Sequence, residues 1–298
     1  MVKPVSCCIY AFVFQLLILI YMKKNYAIIA LLTITLFLTP KTNAQTATNP
    51  DMVKIEGGTF LMGSKDNDKL AQIDEKKQHQ VKVNSFELSK FEVSVWQWKK
   101  FVSATKSKMP EKQSWGWKDN YPINGITWEE AVTYCNWLSA TEKLQPVYSK
   151  NGPNYVCNFY ANGYRLPTEA EWEFAARGGK LAKATNYSGS DNANEIAWHK
   201  TNSNKSPHTI GTKSPNKLGV YDMSGNVWEW CWDWYSENYY TNDKINNPRG
   251  PEMGEKRAVR GGSWDSELNC LRTANRVSTY PGKTHEFYGF RISRSIVK

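Results

Sequence analysis

Four tryptophans recur at every second position in one short stretch, as Trp228, Trp230, Trp232 and Trp234. Alternate side chains of a β-strand point to the same face, so this spacing predicts a strand with an indole face. A small core accommodates two such rings more readily than four. We therefore expect core packing for two of them, and for the others either packing as well or an aromatic floor that binds a sugar or a peptide.

The cysteines and histidines show neither the spacing of a metal cluster nor that of a nucleophile and its base. Cys7 and Cys8 lie in an N-terminal leader, and the remaining cysteines are Cys135, Cys157, Cys231 and Cys270. None of these four has C-x-x-C spacing, and they allow three complete disulfide pairings that the sequence does not distinguish. The histidines are dispersed at positions 79, 199, 208 and 285. The sequence also lacks a nucleophile elbow, a P-loop and a dinucleotide fingerprint.

Three segments carry the signals of capped helices. Ser94 precedes an apolar set with helical spacing, and Thr127 with Glu130 forms a capping box ahead of the next helix. Thr168 caps a third helix that ends at Gly178. The glutamates at positions 169, 171 and 173 of this helix do not all share one face, so we expect the segment to be scaffold.

Short strands are expected between and after these helices. They are predicted within residues 52–64, 80–88, 227–234, 259–260 and 288–292. We expect residues 145–162 to form a hairpin or a loop insertion, residues 65–78 an exposed charged loop and residues 180–217 mostly loop. No repeat or proline-rich linker divides the chain, so the sequence predicts a single α+β domain with much irregular backbone.

Residues 1–44 carry the features of a secretory signal peptide. A lysine pair precedes the apolar run 26–38, and Thr42 and Ala44 are the small residues required just before a cleavage site. Translation is therefore expected to start at Met22, with export of the mature chain to the periplasm or the extracellular space. The alternative is a helical hairpin or an uncleaved anchor, although each apolar run is shorter than the roughly 18 to 20 residues that span a bilayer.

The charge of the chain is basic without indicating a nucleic-acid surface. The 298 residues have a formal net charge of +10, and removal of the leader with its four lysines lowers the charge to +6. The basic residues are spread along the chain rather than gathered in one dense cluster, which favours a solvated surface over nucleic-acid binding. Thirteen tryptophans and sixteen tyrosines exclude a disordered chain.

Six motifs follow one another along the chain after the leader. They are NGITW at 124–128, YCNWLS at 134–139, YRLPTEAEWE at 164–173, YDMSGNVWEW at 221–230, RGGSW at 260–264 and GFR at 289–291. Together they resemble the formylglycine-generating enzyme, or sulfatase-modifying factor, superfamily. The resemblance implies a compact, irregular α+β fold related to C-type lectins. The function stays open, because the family includes copper oxidases that convert a sulfatase cysteine to formylglycine as well as components of bacterial surface machinery.

The resemblance places the two oxidase cysteines after the Arg-Gly-Gly-Ser motif, where two thiolates hold the soft ion Cu(I). The first cysteine would lie three residues after Ser263, but that residue is Ser266, whose neutral hydroxyl is a poor Cu(I) ligand. Cys270 reaches the second position only if this loop is one residue shorter than in the oxidases. Cys270 is therefore either a copper ligand together with an outside group such as Cys231, or an ordinary buried thiol.

The disulfides that the resemblance implies are also incomplete in this chain. Cys135 matches one half of one of them, but Ile292 stands where its partner would follow the GFR motif. We therefore expect Cys135 to be a buried free cysteine at a core position of its helix.

The resemblance further implies a calcium site in the segment 222–229. Its ligands would be two side chains and two backbone carbonyls, from Asp222, Gly225, Val227 and Glu229. Both side-chain positions are acidic, which suits a hard cation that takes six to eight oxygen ligands. Without a cation, the alternative is an exposed aspartate and a glutamate that is hydrogen-bonded to backbone amides.

These observations predict a leader at residues 1–44, a linker at 45–51 and a formylglycine-generating-enzyme-like domain at 52–298. Because one oxidase cysteine is missing, we expect a binding or assembly role at the cell envelope, with bound calcium and a protein or glycan partner. The mature chain would carry no stable transmembrane anchor. The alternative function is a copper-dependent oxidase that converts a sulfatase cysteine to formylglycine.

Overall fold

The three predicted helices begin at the caps that the sequence provides. The structure is a computed structural model that describes residues 50–240 and 244–297, so the predicted leader lies outside the described residues. Helix α1 spans Val95–Thr105, α2 spans Trp128–Thr141 and α3 spans Glu169–Ala176. At each start, a Ser or Thr hydroxyl accepts a hydrogen bond from the third helical residue, whose side chain bonds back to the cap. A one-turn helix, α4, follows at Ala193–Ile196.

The described residues contain thirteen short strands. Their bounds are β1 Met52–Ile55, β2 Gly58–Met62, β3 His79–Val83, β4 Phe86–Ser89, β5 Tyr148–Asn151, β6 Asn154–Cys157, β7 Tyr164–Arg165, β8 Trp228–Trp234, β9 Lys244–Asn246, β10 Arg257–Arg260, β11 Val277–Thr279, β12 Tyr288–Gly289 and β13 Ser293–Ser295. Strands β5 and β6 form an antiparallel hairpin, which is one of the two structures expected for residues 145–162. Single 3₁₀ turns lie at Ile73–Glu75, Gly179–Leu181 and Leu268–Leu271.

Two four-stranded sheets form the frame of the described residues. One sheet has the order β1-β4-β13-β7, and the other has the order β11-β10-β8-β12. A three-stranded sheet, β2-β3-β9, and the β5-β6 hairpin flank them. Strand β8 is central in its sheet, because it pairs with β10 on one side and with β12 on the other. Strand β12 pairs only with Trp228 and Glu229, so β8 is held by backbone pairing on both sides at its start.

Two apolar clusters make up most of the core of the described residues. The first contains the apolar faces of α1 and α2, where Trp98 stacks on Tyr134 and meets the edge of Phe290. The second lies under α3, where Trp172 and Phe174 pack with side chains from β2, β3 and β4. Burial of these aromatic and aliphatic surfaces is the main favourable term in folding.

Two expectations about local structure are wrong. Of the predicted strand 288–292, only residues 288–289 form a strand, β12 beside β8. Residues 290–292 lie in no strand, and β13 beside β4 begins only at Ser293, because the chain crosses between sheets at the buried residues Phe290 and Arg291. The segment 65–78 is not exposed throughout, since the Glu75 side chain is buried. Its carboxylate accepts two hydrogen bonds from the guanidinium of Arg272.

The described residues form one compact α+β domain with a large share of irregular backbone, as predicted. Of the helices that the structure describes, none is long and apolar enough to cross a membrane.

Candidate functional site

The loop that leads into β8 is held in an unusual backbone conformation. Asp222, Gly225 and Asn226 have positive φ angles of 56°, 84° and 66°. Gly225 is required there, because a Cβ at this position would lie 2.3 Å from the carbonyl oxygen of Trp198. The amide of Gly225 donates to the carbonyl of Gly261 at 2.8 Å, so the loop packs against the Arg-Gly-Gly-Ser segment. The predicted calcium loop and the predicted copper loop are therefore neighbours.

Three carboxylates and one guanidinium are buried around this loop. Glu229 accepts hydrogen bonds from Arg291 through both oxygens, at 2.6 and 2.7 Å, and a third from the indole N–H of Trp172. Asp222 Oδ2 accepts from the amide of Gly211 at 2.7 Å, whereas Asp222 Oδ1 is buried with no hydrogen-bond partner among the described residues. The third carboxylate belongs to Glu92, which the sequence analysis did not single out.

Glu92 reaches the loop from the segment that precedes α1. Its Oε2 accepts from the side-chain amide of Asn226 at 2.7 Å, and its Oε1 accepts from the amide of Val227 at 3.2 Å. Burial raises the pKa of Glu92 well above its usual value, and the nearby carboxylates of Asp222 and Glu229 raise it further. Burial also raises the pKa of Asp222, to about 6. Burial is the largest cause of both shifts, and in both groups Glu229 raises the pKa while Arg291 lowers it.

The chemistry of this site fits a calcium ion. The unpartnered Asp222 Oδ1 is an available hard ligand, and Glu229 Oε1 accepts only one of the three bonds made to its carboxylate. A divalent cation would also compensate the excess of carboxylates over Arg291. No group of three or more His, Cys, Asp or Glu side chains within residues 50–240 and 244–297 is arranged around a metal. The calcium site predicted from the sequence has only two side-chain ligands, and backbone carbonyls would supply its other ligands.

The Arg-Gly-Gly-Ser segment forms a tight turn at the end of β10. Gly261 and Gly262 have φ angles of 99° and 80°, which side chains with a Cβ rarely adopt. Ser266 completes the turn, since its hydroxyl accepts from the amide of Ser263 at 2.8 Å and lies 3.1 Å from the Ser263 hydroxyl. Ser266 is nearly closed to solvent. At the position of the missing cysteine, the hydroxyl thus serves to hold the loop.

The described cysteines are free and poorly suited to act as thiolates. Cys270 lies half-buried on the 3₁₀ turn Leu268–Leu271, and burial raises the pKa of its thiol. Cys231 is fully buried in the apolar cluster under α3, where burial raises its pKa well above the usual value. A neutral thiol is a weak nucleophile and a weak metal ligand. Cys135 is buried and free, as expected, and shares the first apolar cluster with Ile292.

The tryptophans of β8 divide into two pairs. Trp228 is 8% exposed and Trp230 is fully buried, so two of the four are core residues, as expected. Trp230 presents no surface to a ligand, and this corrects its assignment to a binding face. Trp232 and Trp234 are half-buried. Trp232 stacks on Tyr148 and contacts Trp128, whereas Trp234 borders a cleft.

Helix α3 supplies a second buried charge network, which is structural. Glu169 and Glu173 lie one turn apart, and both bind the guanidinium of Arg260, at 2.8 and 2.6 Å. Arg276 binds Glu169, and Arg177 binds Glu173. Burial by itself would raise the pKa of Glu173, but Arg177 and Arg260 lower it to about 2. The expectation that this helix is scaffold agrees with these contacts, although the sequence analysis missed Arg260 as their centre.

Comparison with known proteins identifies the family. The model of the sulfatase-modifying factor enzyme 1-like domain matches residues 37–296. The chain belongs to this family. It is 34% identical to the chaperone protein LppX of Paenibacillus barcinonensis over 81% of this chain and 86% of that protein. It is 28% identical to the formylglycine-generating enzyme of Thermomonospora curvata over 81% and 92%.

Other relatives show that the domain occurs in proteins with different names and lengths. The chain is 32% identical to the serine/threonine-protein kinase Pkn1 of Chlamydia trachomatis, of which it spans only 38%. The solved structure of Treponema denticola variable protein 1 superposes with a TM-score of 0.71 at 28% identity, over 82% of this chain and 95% of that one. This similarity supports the formylglycine-generating-enzyme fold, with its relation to C-type lectins, and the mixed set of names leaves a non-catalytic role open.

Proposed function

We propose that this chain is an exported, calcium-bound binding protein of the formylglycine-generating enzyme family that acts at the cell envelope without oxidase chemistry. Calcium would be held by the loop 222–229, and the partner would be a protein or a glycan that contacts the aromatic surface at Trp232 and Trp234. The proposal of export rests on the signal-peptide features of residues 22–44.

The observation that carries the non-catalytic proposal is the state of Ser266. Its hydroxyl is engaged by the amide of Ser263, and it occupies the position where the oxidases have a thiolate. Cu(I) prefers soft sulfur ligands, and a hydroxyl that closes a turn offers neither the charge nor the softness that this ion requires. The raised pKa of the Cys270 thiol further disfavours the thiolate form at neutral pH.

Calcium would have a structural role in this proposal. Asp222 and Glu229 flank the turn that enters the central strand β8, which pairs with β10 and β12. A cation that neutralises the surplus carboxylates would fix the turn and, through it, the position of the tryptophans on β8. A chaperone-like protein with 34% identity supports a binding role, whereas the enzyme of T. curvata favours the oxidase alternative.

An assay of aldehyde formation separates these alternatives. The purified protein is incubated with Cu(I), oxygen and a cysteine peptide of sulfatase type, and the aldehyde is measured by mass spectrometry. We expect no aldehyde and weak copper binding. A Ser266→Cys variant tests geometry, because it would strengthen copper binding only if Cys270 occupies the second ligand position. Aldehyde formed by the unmodified protein, and abolished in a Cys270→Ser variant, would establish the oxidase instead.

Export is tested by the N-terminus of the protein recovered from cells. Cleavage after Ala44 would give a mature protein that begins at Gln45 in the periplasmic or extracellular fraction. Edman sequencing or mass spectrometry measures that terminus directly. Recovery of a membrane-bound protein that retains residues 26–38 would contradict the proposed cleavage.

A further inference from the structure

A small cleft lies beside the end of β8, apart from the loop 222–229. Its volume is about 150 Å³, and it is bordered by Trp128, Tyr155, Trp234, Arg257, Pro281 and Gly282, among others. An engineered cavity of about this volume is known to hold benzene, so the cleft has room for a single six-membered ring. Nothing in the sequence analysis pointed to this region except Trp234.

Arg257 is the unusual residue of the cleft. Its side chain is buried, with 2% of the residue exposed, yet it forms no ion pair with any carboxylate in the described part of the chain. Buried arginines elsewhere in the same fold, such as Arg260 and Arg291, are each paired with a glutamate. The charge of Asp233 acts on Arg257, but the two groups are not in ion-pair contact.

The indole rings of two tryptophans enclose the Arg257 guanidinium. Its central carbon lies 3.7 Å from the ring centroid of Trp128 and 3.4 Å from that of Trp234. Such stacking stabilises the cation through the ring faces and fixes the plane of the guanidinium. The N–H donors of arginine lie in that plane, so the rings stacked on its two faces do not serve as their acceptors.

One of these donor atoms, Nε, lacks an acceptor among the described residues. Nη1 donates to the carbonyl of Trp232 at 2.5 Å, whereas Nε is buried and has no hydrogen-bond partner. Burial lowers the pKa of Arg257 to about 9, which still leaves the group charged at neutral pH. A buried charge with an unfilled hydrogen-bond donor is costly, and a planar carboxylate is the group that matches the in-plane donors of a guanidinium.

We infer that the cleft is a binding site for a carboxylate carried on a six-membered ring, with the carboxylate bound in the plane of the Arg257 guanidinium and the ring beside Trp234 and Tyr155. A uronic acid and an aromatic acid share this chemistry. The inference rests on the proposed binding role of the Trp232 and Trp234 surface, for which it names the ligand class. The rim is not basic, since Glu129 is bonded to Lys150 and Tyr155, so Arg257 supplies the specificity for the anion.

Isothermal titration of the full chain with four probes tests this site. The probes are benzoate and glucuronate, with benzyl alcohol and glucose as their neutral counterparts. At least one carboxylate should bind, and its neutral counterpart should bind about tenfold or more weakly, because a hydrogen-bonded charge contributes about 1.5 to 3 kcal/mol. The affinity for benzoate, compared with the affinity for glucuronate, shows whether the cleft prefers an aromatic acid or a uronic acid.

Variants of the chain assign the binding to this cleft. Arg257→Met should abolish the preference for the carboxylate, whereas the exposed neighbour Lys256→Met is the matched control and should retain it. Because loss of Arg257 can disturb folding, Gly282→Leu provides a second test. A Cβ at Gly282 meets no atom within 4 Å, so a leucine there can fill the cleft without touching the core, and Gly282→Ala is its control.

The possible outcomes separate this inference from the proposed function. Loss of carboxylate binding in both Arg257→Met and Gly282→Leu, with retention in both controls, supports the site. Equal binding of charged and neutral probes would overturn the carboxylate assignment while leaving an aromatic binding surface. Absence of binding by all four probes would overturn the site itself, and the proposed function would still be judged by the aldehyde assay.

Discussion

The two buried charge clusters of this domain differ in their balance. Around α3, the carboxylates of Glu169 and Glu173 face Arg260, Arg276 and Arg177, and the ion pairs lie within 2.9 Å. Around the entry to β8, Glu92, Asp222 and Glu229 share Arg291 alone among the described arginines. In the first cluster both carboxylates are ion-paired and their pKa values are lowered, although Arg260 Nε has no hydrogen-bond partner among the described residues. The second cluster has an unpartnered carboxylate oxygen and carboxylates with raised pKa values.

We propose that this difference reflects a structural network around α3 and a calcium site at the entry to β8. Burial of charges is tolerated when each one is paired and hydrogen-bonded. A surplus of one sign persists in a native structure where a bound ion or ligand completes it. The same reasoning applies with the opposite sign to Arg257, whose guanidinium is in ion-pair contact with no described carboxylate, although the charge of Asp233 acts on it. The two clusters should therefore respond differently to substitution, to calcium and to pH.

The largest effect is expected from Glu173→Ala. This change leaves the buried Arg260 and the partly exposed Arg177 with one partner fewer, and breaking a buried ion pair costs about 3 to 5 kcal/mol. Urea unfolding measures the loss.

In calcium-free protein, Asp222→Asn should leave stability unchanged or raise it, because the change removes a buried charge that lacks a full set of partners. Equal losses in the two variants would show that the clusters are alike.

Calcium should stabilise the domain through the second cluster only. A ligand that binds the folded state alone adds about 2.7 kcal/mol at a hundredfold excess over its Kd. The melting temperature should therefore rise with added calcium and fall with chelator in the parent protein. Asp222→Ala or Glu229→Ala should remove this response, and Asp119→Asn, which changes a surface aspartate paired with Lys99, should retain it. A parent melting temperature that is indifferent to chelator would argue against the calcium site.

The affinity for calcium should depend on pH near the raised pKa of Asp222. Below about pH 6 the carboxyl is protonated and cannot act as a ligand, so affinity should fall by about tenfold per pH unit for each proton displaced. Without calcium, the stability of the folded protein should instead decrease as the pH rises. A raised folded-state pKa contributes stability that is present below the unfolded value and is lost as the pH rises through about 6. Calcium titrations at pH 5, 6 and 7 would refute the assignment if the affinities were equal.

The smallest effect is expected from a change beside the structural network that leaves its ion pairs intact. Thr168→Ala removes the hydroxyl that accepts from the amide of Glu171, which typically costs about 1 kcal/mol. Chemical denaturation measures this loss, and Thr168→Ser should restore most of it. If Thr168→Ala is as damaging as Glu173→Ala, the cap rather than the ion network dominates the stability of α3.

Local chemistry allowed parts of the fold to be predicted from the sequence. The three caps at Ser94, Thr127 and Thr168 bond to amides three residues away, so the information lies within one turn of helix. The strand β8 follows from the alternation of its tryptophans. The strand expected at 288–292 ends after two residues, because the chain there leaves one sheet for another, and no local pattern encodes which sheet a segment joins.

The sequence by itself determined the family, through six motifs in order. Only the tertiary structure brought Glu92 to Asn226, 134 residues away, and set Arg257 between Trp128 and Trp234. The physical reason is that capping bonds and strand alternation act over a few residues and leave a period in the sequence. The balance of buried charge depends on which distant side chains meet, and that is decided when the sheets and helices pack.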